Sequence, residues 1–300
     1  MPTCLAVYPG ECFMNIGSEH IDALHRTIHW FQENRQIYSE MLAFFGGLFE
    51  AQFRAFDSVS LTQPAVSENV VQTRRDTKFP LIGVSEFSVD VVNAKRLTDT
   101  IIDLARHSTV RLQEGAAFIE KEILDGRLTH EMLFDMALKR LDEEHMPEGD
   151  PGLLLFFGYH SILPSIMSCR NIALRYLADE EPWRTGYCPV CGGMPALSML
   201  DANGERSYVC SFCRNRWVVP RLFCAYCSNT NGEELEYFES EEEPEYRIDS
   251  CLKCRRYVKT LDLRKTDRWV YPDIEMLASI HLDMKAMGEG LQPVVNNPYF

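Results

Sequence analysis

The chain has 300 residues, of which 46% are apolar, and its formal net charge is −14. This composition excludes a disordered chain and is enough for a sizeable core, divided between two domains. An acidic body repels phosphate backbones, which argues against nucleic acid as the main partner. The N-terminus lacks the basic flank of a signal peptide, and no apolar run reaches the roughly eighteen residues of a membrane span. We therefore expect a soluble, cytoplasmic protein without membrane insertion.

The first 182 residues have the hydrophobic spacing of a helical domain. Apolar residues recur at helical intervals in the stretches 18–56, 89–124, 129–141 and 153–177. Ser18 is a candidate N-cap, and Gly46-Gly47 predicts a bend. Residues 58–87 break the pattern with Pro64, Pro80 and a polar run, which predicts a connector.

The composition changes at EEPWRTGY, where short β-prone segments begin. These segments are MPALSML, RSYVC, RWVVPRLFC, LEYFES, EYRIDSC and YVKTLDL, and turns or cysteine pairs separate them. After Pro272 a helical period returns, with Asp273 as a candidate cap. It predicts one helix that ends near Gly288 and packs back on its neighbours.

Eight of the eleven cysteines form four C-x-x-C pairs, which is the ligand count of two tetrahedral thiolate sites. Loops of 18 and 23 residues separate the first pair from the second and the third from the fourth. The first loop matches the usual Cys4 spacing and the second slightly exceeds it. We expect these two pairings, although only ten residues separate the second and third pairs, so another pairing is conceivable. The pairs are Cys188/Cys191, Cys210/Cys213, Cys224/Cys227 and Cys251/Cys254.

Metal binding explains these pairs better than disulfide or exchange chemistry does. A redox C-x-x-C motif normally occurs once, near a strand-helix unit, whereas this segment has four copies. Two thiolates converge on one ion only if the backbone turns tightly, and Gly192 and Gly193 permit such a turn after the first pair. The other three pairs lack the glycine. Both zinc and iron accept a tetrahedral tetrathiolate, so the metal stays open.

Other candidate residues have simpler explanations. His25 and His29 are expected at the surface or core edge, the acidic run 233–245 as a solvated hairpin tip, and Cys4, Cys12 and Cys169 as ordinary thiols. Basic residues near the last three pairs either stabilise thiolate charge or form a docking surface for an anionic partner. These are Arg214, Arg216, Arg221, Lys253, Arg255, Arg256 and Lys259. The sequence contains no G-x-S-x-G motif, phosphate loop or convincing acid–base pair.

The strings CPVCGGMP, CSFCRNRWVVPRLFCAYC and CLKCRRYVK resemble the formate dehydrogenase accessory (formation) protein family, of the FdhE type. That family has four such pairs in this order, with a tryptophan and an arginine between the second and third, here Trp217 and Arg221. The ending LASIHLDMKAMGEG…NPYF is also similar, through Leu277, Ala278, Ser279, Asp283, Gly290, Asn297 and Pro298. Residues 183–300 carry the resemblance, and the first 180 or so match only in outline, through ENRQIYSEMLAFFGGLFEAQF.

The resemblance implies an α+β chain with a multihelical domain at 1–182. Two rubredoxin-like or zinc-ribbon-like Cys4 lobes follow at 183–222 and 223–268, and a C-terminal helix and tail at 269–300 pack back on the body. It implies that the eight paired cysteines are ligands to two metal ions, with iron the metal that the family suggests.

The same resemblance implies a non-catalytic cytoplasmic protein that is required for the activity of respiratory formate dehydrogenase. Such a maturation chaperone binds the catalytic subunit before export. Two alternatives stay open: a nucleic-acid-binding zinc-ribbon protein, which the charge disfavours, and a rubredoxin-like electron carrier, which leaves the helical domain unexplained. A homo-oligomer is also compatible with the sequence.

Overall fold

The computed structural model describes residues 18–61, 66–141, 147–177, 183–240 and 242–296. The chain divides into two compact units. The helical unit holds the described part of Cys12–Thr73 and Ile82–Arg175. The sheet unit holds Arg74–Leu81 and the described part of Tyr176–Phe300. The predicted α+β fold class is confirmed, whereas the predicted domain boundaries stay predictions.

The helical unit follows the predicted hydrophobic periodicity. Its helices are α1 (Ser18–Asn34), α2 (Ser39–Phe56), α4 (Val91–Ala105), α5 (Val110–Leu124), α6 (His130–Ala137) and α7 (Pro151–Leu174), together with α3 (Glu68–Asp76) up to Thr73. Helix α3 lies inside the predicted connector, so that expectation was wrong for residues 68–76. A short polar helix has few apolar residues to reveal its period, and only Val71 of α3 is buried.

Helix α7 lies at the centre of this unit and contacts α2, α4, α5 and α6. It is the single helix of the described chain that is long and apolar enough to cross a membrane. Two of its buried polar side chains have partners within the protein: Ser161 accepts a hydrogen bond from Thr98 at 2.9 Å, and Nδ1 of His160 lies 3.1 Å from the Gln52 side-chain amide. The most apolar window of α7 is 61% buried, as in the core helix of a bundle.

Helix α2 runs without interruption through Gly46-Gly47, so the predicted bend was wrong. The two glycines instead allow neighbouring side chains to approach the helix closely. A Cβ atom at Gly46 would lie 2.7 Å from Cδ1 of Ile28, and one at Gly47 would lie 3.0 Å from Leu104. Their role is therefore in helix packing rather than in backbone flexibility.

The sheet unit contains strands at all six predicted positions. They are β1 (Pro195–Leu200), β2 (Arg206–Cys210), β3 (Arg216–Val219), β4 (Leu235–Glu239), β5 (Tyr246–Cys251) and β6 (Arg256–Asp262), followed by a short β7 (Gln292–Pro293). The strand order is β3-β2-β1-β6-β5-β4, and β7 pairs with β6.

A parallel pairing joins two antiparallel halves into one sheet. Strands β1–β3 form the first half and β4–β6 the second. Strand β1 lies parallel to β6, with Ser198 opposite Thr260 and Leu200 opposite Asp262. The strands of the two predicted metal lobes therefore share one hydrogen-bonded sheet.

The C-terminal helical segment is broken in two, which corrects the prediction of one helix. Helix α8 (Pro272–Ala278) begins after Tyr271, and α9 (Ile280–Gly288) follows a break at Ser279. The Lys259 ammonium donates to the carbonyl oxygen of Met276 at 2.9 Å and to a carboxylate oxygen of Asp283 at 2.7 Å. This buried lysine stabilises the break because it satisfies a carbonyl that no longer has a helical partner.

Strand β6 ends at the buried Asp262. Its carboxylate accepts hydrogen bonds from the Arg264 guanidinium at 2.8 and 2.6 Å and from the Arg264 backbone N–H at 3.1 Å. Burial alone would raise the pKa of this carboxyl, but the bonds from Arg264 outweigh burial and lower its pKa. The charged form of Asp262 is therefore stabilised in the folded protein.

Candidate metal centres

The first candidate centre gathers the four sulfur atoms of Cys188, Cys191, Cys210 and Cys213. The first two cysteines lie in the turn before β1, Cys210 ends β2, and Cys213 lies in the turn to β3. The four sulfurs lie within 4.8 Å of one another. Sγ of Cys188 is 3.6 Å from that of Cys213, and Sγ of Cys191 is 3.4 Å from that of Cys210. All four residues are buried.

The second candidate centre gathers Cys224, Cys227, Cys251 and Cys254 in the same way. The Cys224 and Cys254 sulfurs lie 3.6 Å apart, and those of Cys227 and Cys251 lie 3.7 Å apart. Cys251 ends β5, as Cys210 ends β2. Cys227 and Cys254 are only half-buried, so this centre is more accessible to solvent than the first.

All four cysteine pairs share one backbone geometry. The residue directly after the second cysteine has a left-handed conformation, with φ of 73° at Gly192, 59° at Arg214, 57° at Ser228 and 59° at Arg255. In the first three turns the N–H of the leading cysteine donates to the carbonyl five residues later, at 2.8 to 2.9 Å. The absence of glycine from three pairs therefore does not weaken the assignment, because other residues adopt the same left-handed turn.

The geometry of both centres fits a tetrahedral ion and not a disulfide. A disulfide needs sulfur atoms about 2.0 Å apart. Four sulfurs at the Zn–S distance of about 2.3 Å from one ion lie about 3.8 Å from each other, close to the 3.4–3.7 Å separations here. The eight cysteines are brought together in the two expected sets, and their metal binding stays a prediction.

A cation would offset the negative charge that the first centre gains when its thiols ionise. Burial raises the pKa of the Cys188 thiol well above its usual value, and hydrogen bonding among the sulfurs raises that of Cys191. Four thiolates so close together and away from water would repel one another strongly. A bound metal ion removes this cost, and thiolate is the form of cysteine that binds metal.

Residues 78–81, which are distant in sequence, pack over the turn that holds Cys188 and Cys191. Pro80 lies against Gly192, where a Cβ atom would approach its Cγ to 2.9 Å. The Leu81 N–H donates to the Pro189 carbonyl at 2.9 Å, and the Tyr187 hydroxyl donates to the Lys78 carbonyl at 3.1 Å. This segment was predicted only as part of a connector, and its residues carry no metal-ligand or motif signal in the sequence.

Amide groups near the cysteines donate hydrogen bonds to the sulfur atoms, and Gly193 leaves room for one of them. A Cβ atom at Gly193 would lie 2.9 Å from Sγ of Cys210. The backbone N–H of Gly193 donates to Sγ of Cys191 at 3.4 Å. In the second centre the Asn229 side-chain amide lies 3.7 Å from Sγ of Cys251 and 3.0 Å from a carboxylate oxygen of Glu234. Hydrogen bonds of this kind stabilise thiolate charge.

The basic residues near the cysteines divide into two groups. Arg214 and Lys259 are buried and form ion pairs with Asp273 at 2.8 Å and Asp283 at 2.7 Å, so their roles are structural. The Arg216 guanidinium likewise donates to the Ser207 hydroxyl. The remaining four are exposed or half-buried around the second centre: Arg221, Lys253, Arg255 and Arg256.

The other candidate residues lie outside both centres. The His25 and His29 side chains are exposed and lie near Glu50 at 3.4 Å and Glu33 at 3.3 Å. Cys169 is buried in α7, and burial raises the pKa of its thiol to about 11, which makes it unreactive. Cys4, Cys12, Asn297 and Pro298 lie outside the described residues.

Comparison with known proteins places the first centre in a known family region. Residues 187–221 match the family model described as FdhE, central domain. A protein of Aquifex aeolicus (strain VF5) named Protein FdhE homolog is 39% identical over 123 residues, which cover 40% of this chain and 43% of that protein. A protein of the same name from Yersinia enterocolitica is 35% identical over 117 residues, or 38% of this chain and 37% of that protein. The match thus spans less than half the length of these curated relatives.

The fold is also that of a solved structure, the crystal structure of the FdhE protein from Pseudomonas aeruginosa. The TM-score is 0.70 at 18% sequence identity, and the match covers 95% of this chain and 96% of that one. The comparisons therefore confirm the resemblance: residues 187–221 match the FdhE central-domain model, and the chain has the fold of a solved FdhE protein.

Proposed function

We propose that the chain is a non-catalytic accessory protein that binds the catalytic subunit of formate dehydrogenase in the cytoplasm during its maturation. The observation that carries this proposal is the pair of four-cysteine clusters on one sheet, the first of them in the region similar to FdhE. The family resemblance supplies the client enzyme, and the sheet supplies a rigid surface on which the client is held.

The metal ions are proposed to rigidify this surface. The eight cysteines would hold two ions, iron or zinc, and a structural zinc site contributes on the order of 10 kcal/mol or more of apparent binding free energy in small peptides. Strands of four to seven residues obtain far less from their own burial. When bound, an iron ion in four thiolates can also take up one electron, whereas zinc cannot.

Capture of the client tests the proposal directly. The tagged chain is expected to co-purify the catalytic subunit, and a deletion strain is expected to lose formate oxidation. In the deletion strain, the tagged variant Cys210→Ser should neither co-purify the catalytic subunit nor restore formate oxidation. The control variant Cys169→Ser, which changes a buried cysteine outside both centres, should do both. Normal formate oxidation in the deletion strain contradicts the proposal.

One observation favours a second candidate, an electron carrier. Cys227 and Cys254 are half-buried, and partial exposure of a tetrathiolate ion permits electron exchange with a partner. Metal analysis with an absorption spectrum of protein purified without oxygen separates the two functions. A coloured ferric site that is reduced reversibly at a rate suited to turnover supports electron carriage, and a colourless zinc protein excludes it.

A further inference from the structure

A cleft of about 190 Å³ lies beside the second centre, on one face of strands β4, β5 and β6. Register places Tyr237, Asp249 and Val258 directly opposite one another on this face. The segment from Arg221 to Ala225 forms the facing wall and includes Cys224, a member of the second centre. The cleft and the centre are therefore built from the same turn.

Apart from the sulfur atoms of the second centre, the side chains that line the cleft have an excess of positive charge. The cleft is lined by four arginines but only two acidic residues, Asp249 and Glu236; the arginines are Arg206, Arg221, Arg247 and Arg256. Asp249 already accepts hydrogen bonds from two of these arginines. Its carboxylate lies 3.1 Å from a nitrogen of Arg206 and 3.1 Å from one of Arg247.

The other two arginines have no carboxylate partner among the described residues. The Arg256 guanidinium stacks on the Tyr226 ring at 4.0 Å and donates to the Pro293 carbonyl at 2.7 Å. Arg221 is exposed. Both side chains line the cleft and present positive charge in a protein whose net charge is −14. This local charge is complementary to an anionic group.

The volume of the cleft and the apolar residues at its rim favour a peptide over a cofactor as its ligand. Pockets for drug-sized ligands and cofactors are typically about 300–1,000 Å³, so 190 Å³ fits one or two side chains. The surrounding surface is apolar and aromatic: Leu222 is 57% exposed, Tyr226 52% and Tyr237 59%. Exposed aromatic residues beside arginines are typical of protein-binding surfaces.

We propose that this cleft binds an acidic segment of a partner protein, with one or two of its carboxylates on Arg221 and Arg256 and its apolar side chains on Leu222 and Tyr237. The identity of the partner as the client enzyme rests on the proposed function. The acidic chemistry of the segment rests on the cleft alone.

Fluorescence anisotropy with the full-length, metal-loaded protein tests the cleft. The probe is a labelled peptide in which aspartate alternates with leucine, and the matched negative probe replaces each aspartate with lysine. The acidic peptide is expected to bind, and Arg221→Ala and Arg256→Ala are each expected to weaken binding about tenfold, as for the loss of one charge-assisted hydrogen bond. Lys253→Ala, an exposed charge in the neighbouring turn that does not line the cleft, should leave binding unchanged.

Three outcomes overturn the proposal. First, the wild type and the double variant of Arg221 and Arg256 bind the acidic peptide equally well. Second, inorganic phosphate at the same concentration as the peptide displaces it. Third, an RNA oligonucleotide binds more tightly than the peptide and depends on the same two arginines. Metal content and thermal unfolding of each variant should match those of the wild type. If an arginine variant fails this check, Leu222→Asp replaces it, because an added carboxylate at the rim should repel the same peptide.

Client capture separates this proposal from the proposed function. If the acidic peptide binds through the arginines but no catalytic subunit co-purifies, the cleft stands and the proposed client is wrong. If the double variant captures the catalytic subunit as well as the wild type does, the proposed function stands and the cleft is not its docking site.

Discussion

The contact between Pro80 and the first cysteine turn can be tested by two matched glycine substitutions. Gly192 and Gly290 both have φ of 73° in the sheet unit. A Cβ atom at Gly192 would meet Cγ of Pro80 at 2.9 Å, whereas at Gly290 it would meet only the flexible end of Arg255 at 3.4 Å. Alanine therefore introduces the same backbone strain at both positions but a ring clash at only one of them.

The expected magnitudes follow from three effects. A left-handed alanine costs roughly 1–2 kcal/mol, and the lower entropy of its unfolded chain offsets about 0.4–1 kcal/mol. Gly290→Ala should therefore reduce the free energy of unfolding by about 1 kcal/mol. Overpacking against the Pro80 ring adds roughly 1–3 kcal/mol, so Gly192→Ala should lose about 2–4 kcal/mol.

Guanidinium unfolding of the metal-loaded protein, followed by tryptophan fluorescence, measures this difference. Gly192→Ala should also accelerate release of the ion from the first centre to a chelator, whereas Gly290→Ala should not. Equal losses of unfolding free energy in the two variants would refute the packing of Pro80 on the first turn.

Three further predictions concern the centres and the end of β6. Cys188→Ser should unfold residues 187–213 locally and leave the helical unit intact; wild-type resistance of this region to proteolysis would contradict it. A chelator should remove metal in two phases, the faster from the half-buried Cys227 and Cys254 site, and Cys254→Ser should abolish the fast phase; a single phase argues against the difference in exposure. Asp262→Asn should destabilise the protein by about 1 kcal/mol at neutral pH because it loses the charged partner of Arg264. Since the folded pKa of Asp262 is lowered, this difference should be full above about pH 4 and vanish as pH falls through the folded pKa, whereas a pH-independent difference would exclude the ion pair as its cause.

The cysteine centres were largely predictable because their signal is local. Two cysteines separated by two residues can share an ion only through a tight turn, and the chain forms that turn at each pair. The left-handed residues at Arg214, Ser228 and Arg255 were not predictable from residue type, since glycine is the residue that usually marks this conformation. Closure of the turn around its two sulfurs fixes their φ, so the surrounding geometry decides it.

At Gly46-Gly47, by contrast, the packing of neighbouring helices and not the local sequence pattern explains the structure. A glycine pair in a sequence is typical of a bend, yet both residues lie inside α2. The close approach of Ile28 and Leu104 explains the absence of side chains there, and both neighbours come from other parts of the chain. The same residue type thus has a different cause once its spatial neighbours are known.

The sequence by itself determined which part of the chain is helical and which part forms strands, the positions of the six main strands, and the two sets of four cysteines. Periodicity and ligand spacing act over a few residues, so a local pattern records them. Only the tertiary structure decided which distant segments meet: Arg74–Leu81 over the first turn, β1 beside β6, Lys259 at the break before α9, and the arginines around one cleft. These contacts join residues far apart in the chain, and their free energy depends on shape and charge complementarity that no local pattern records.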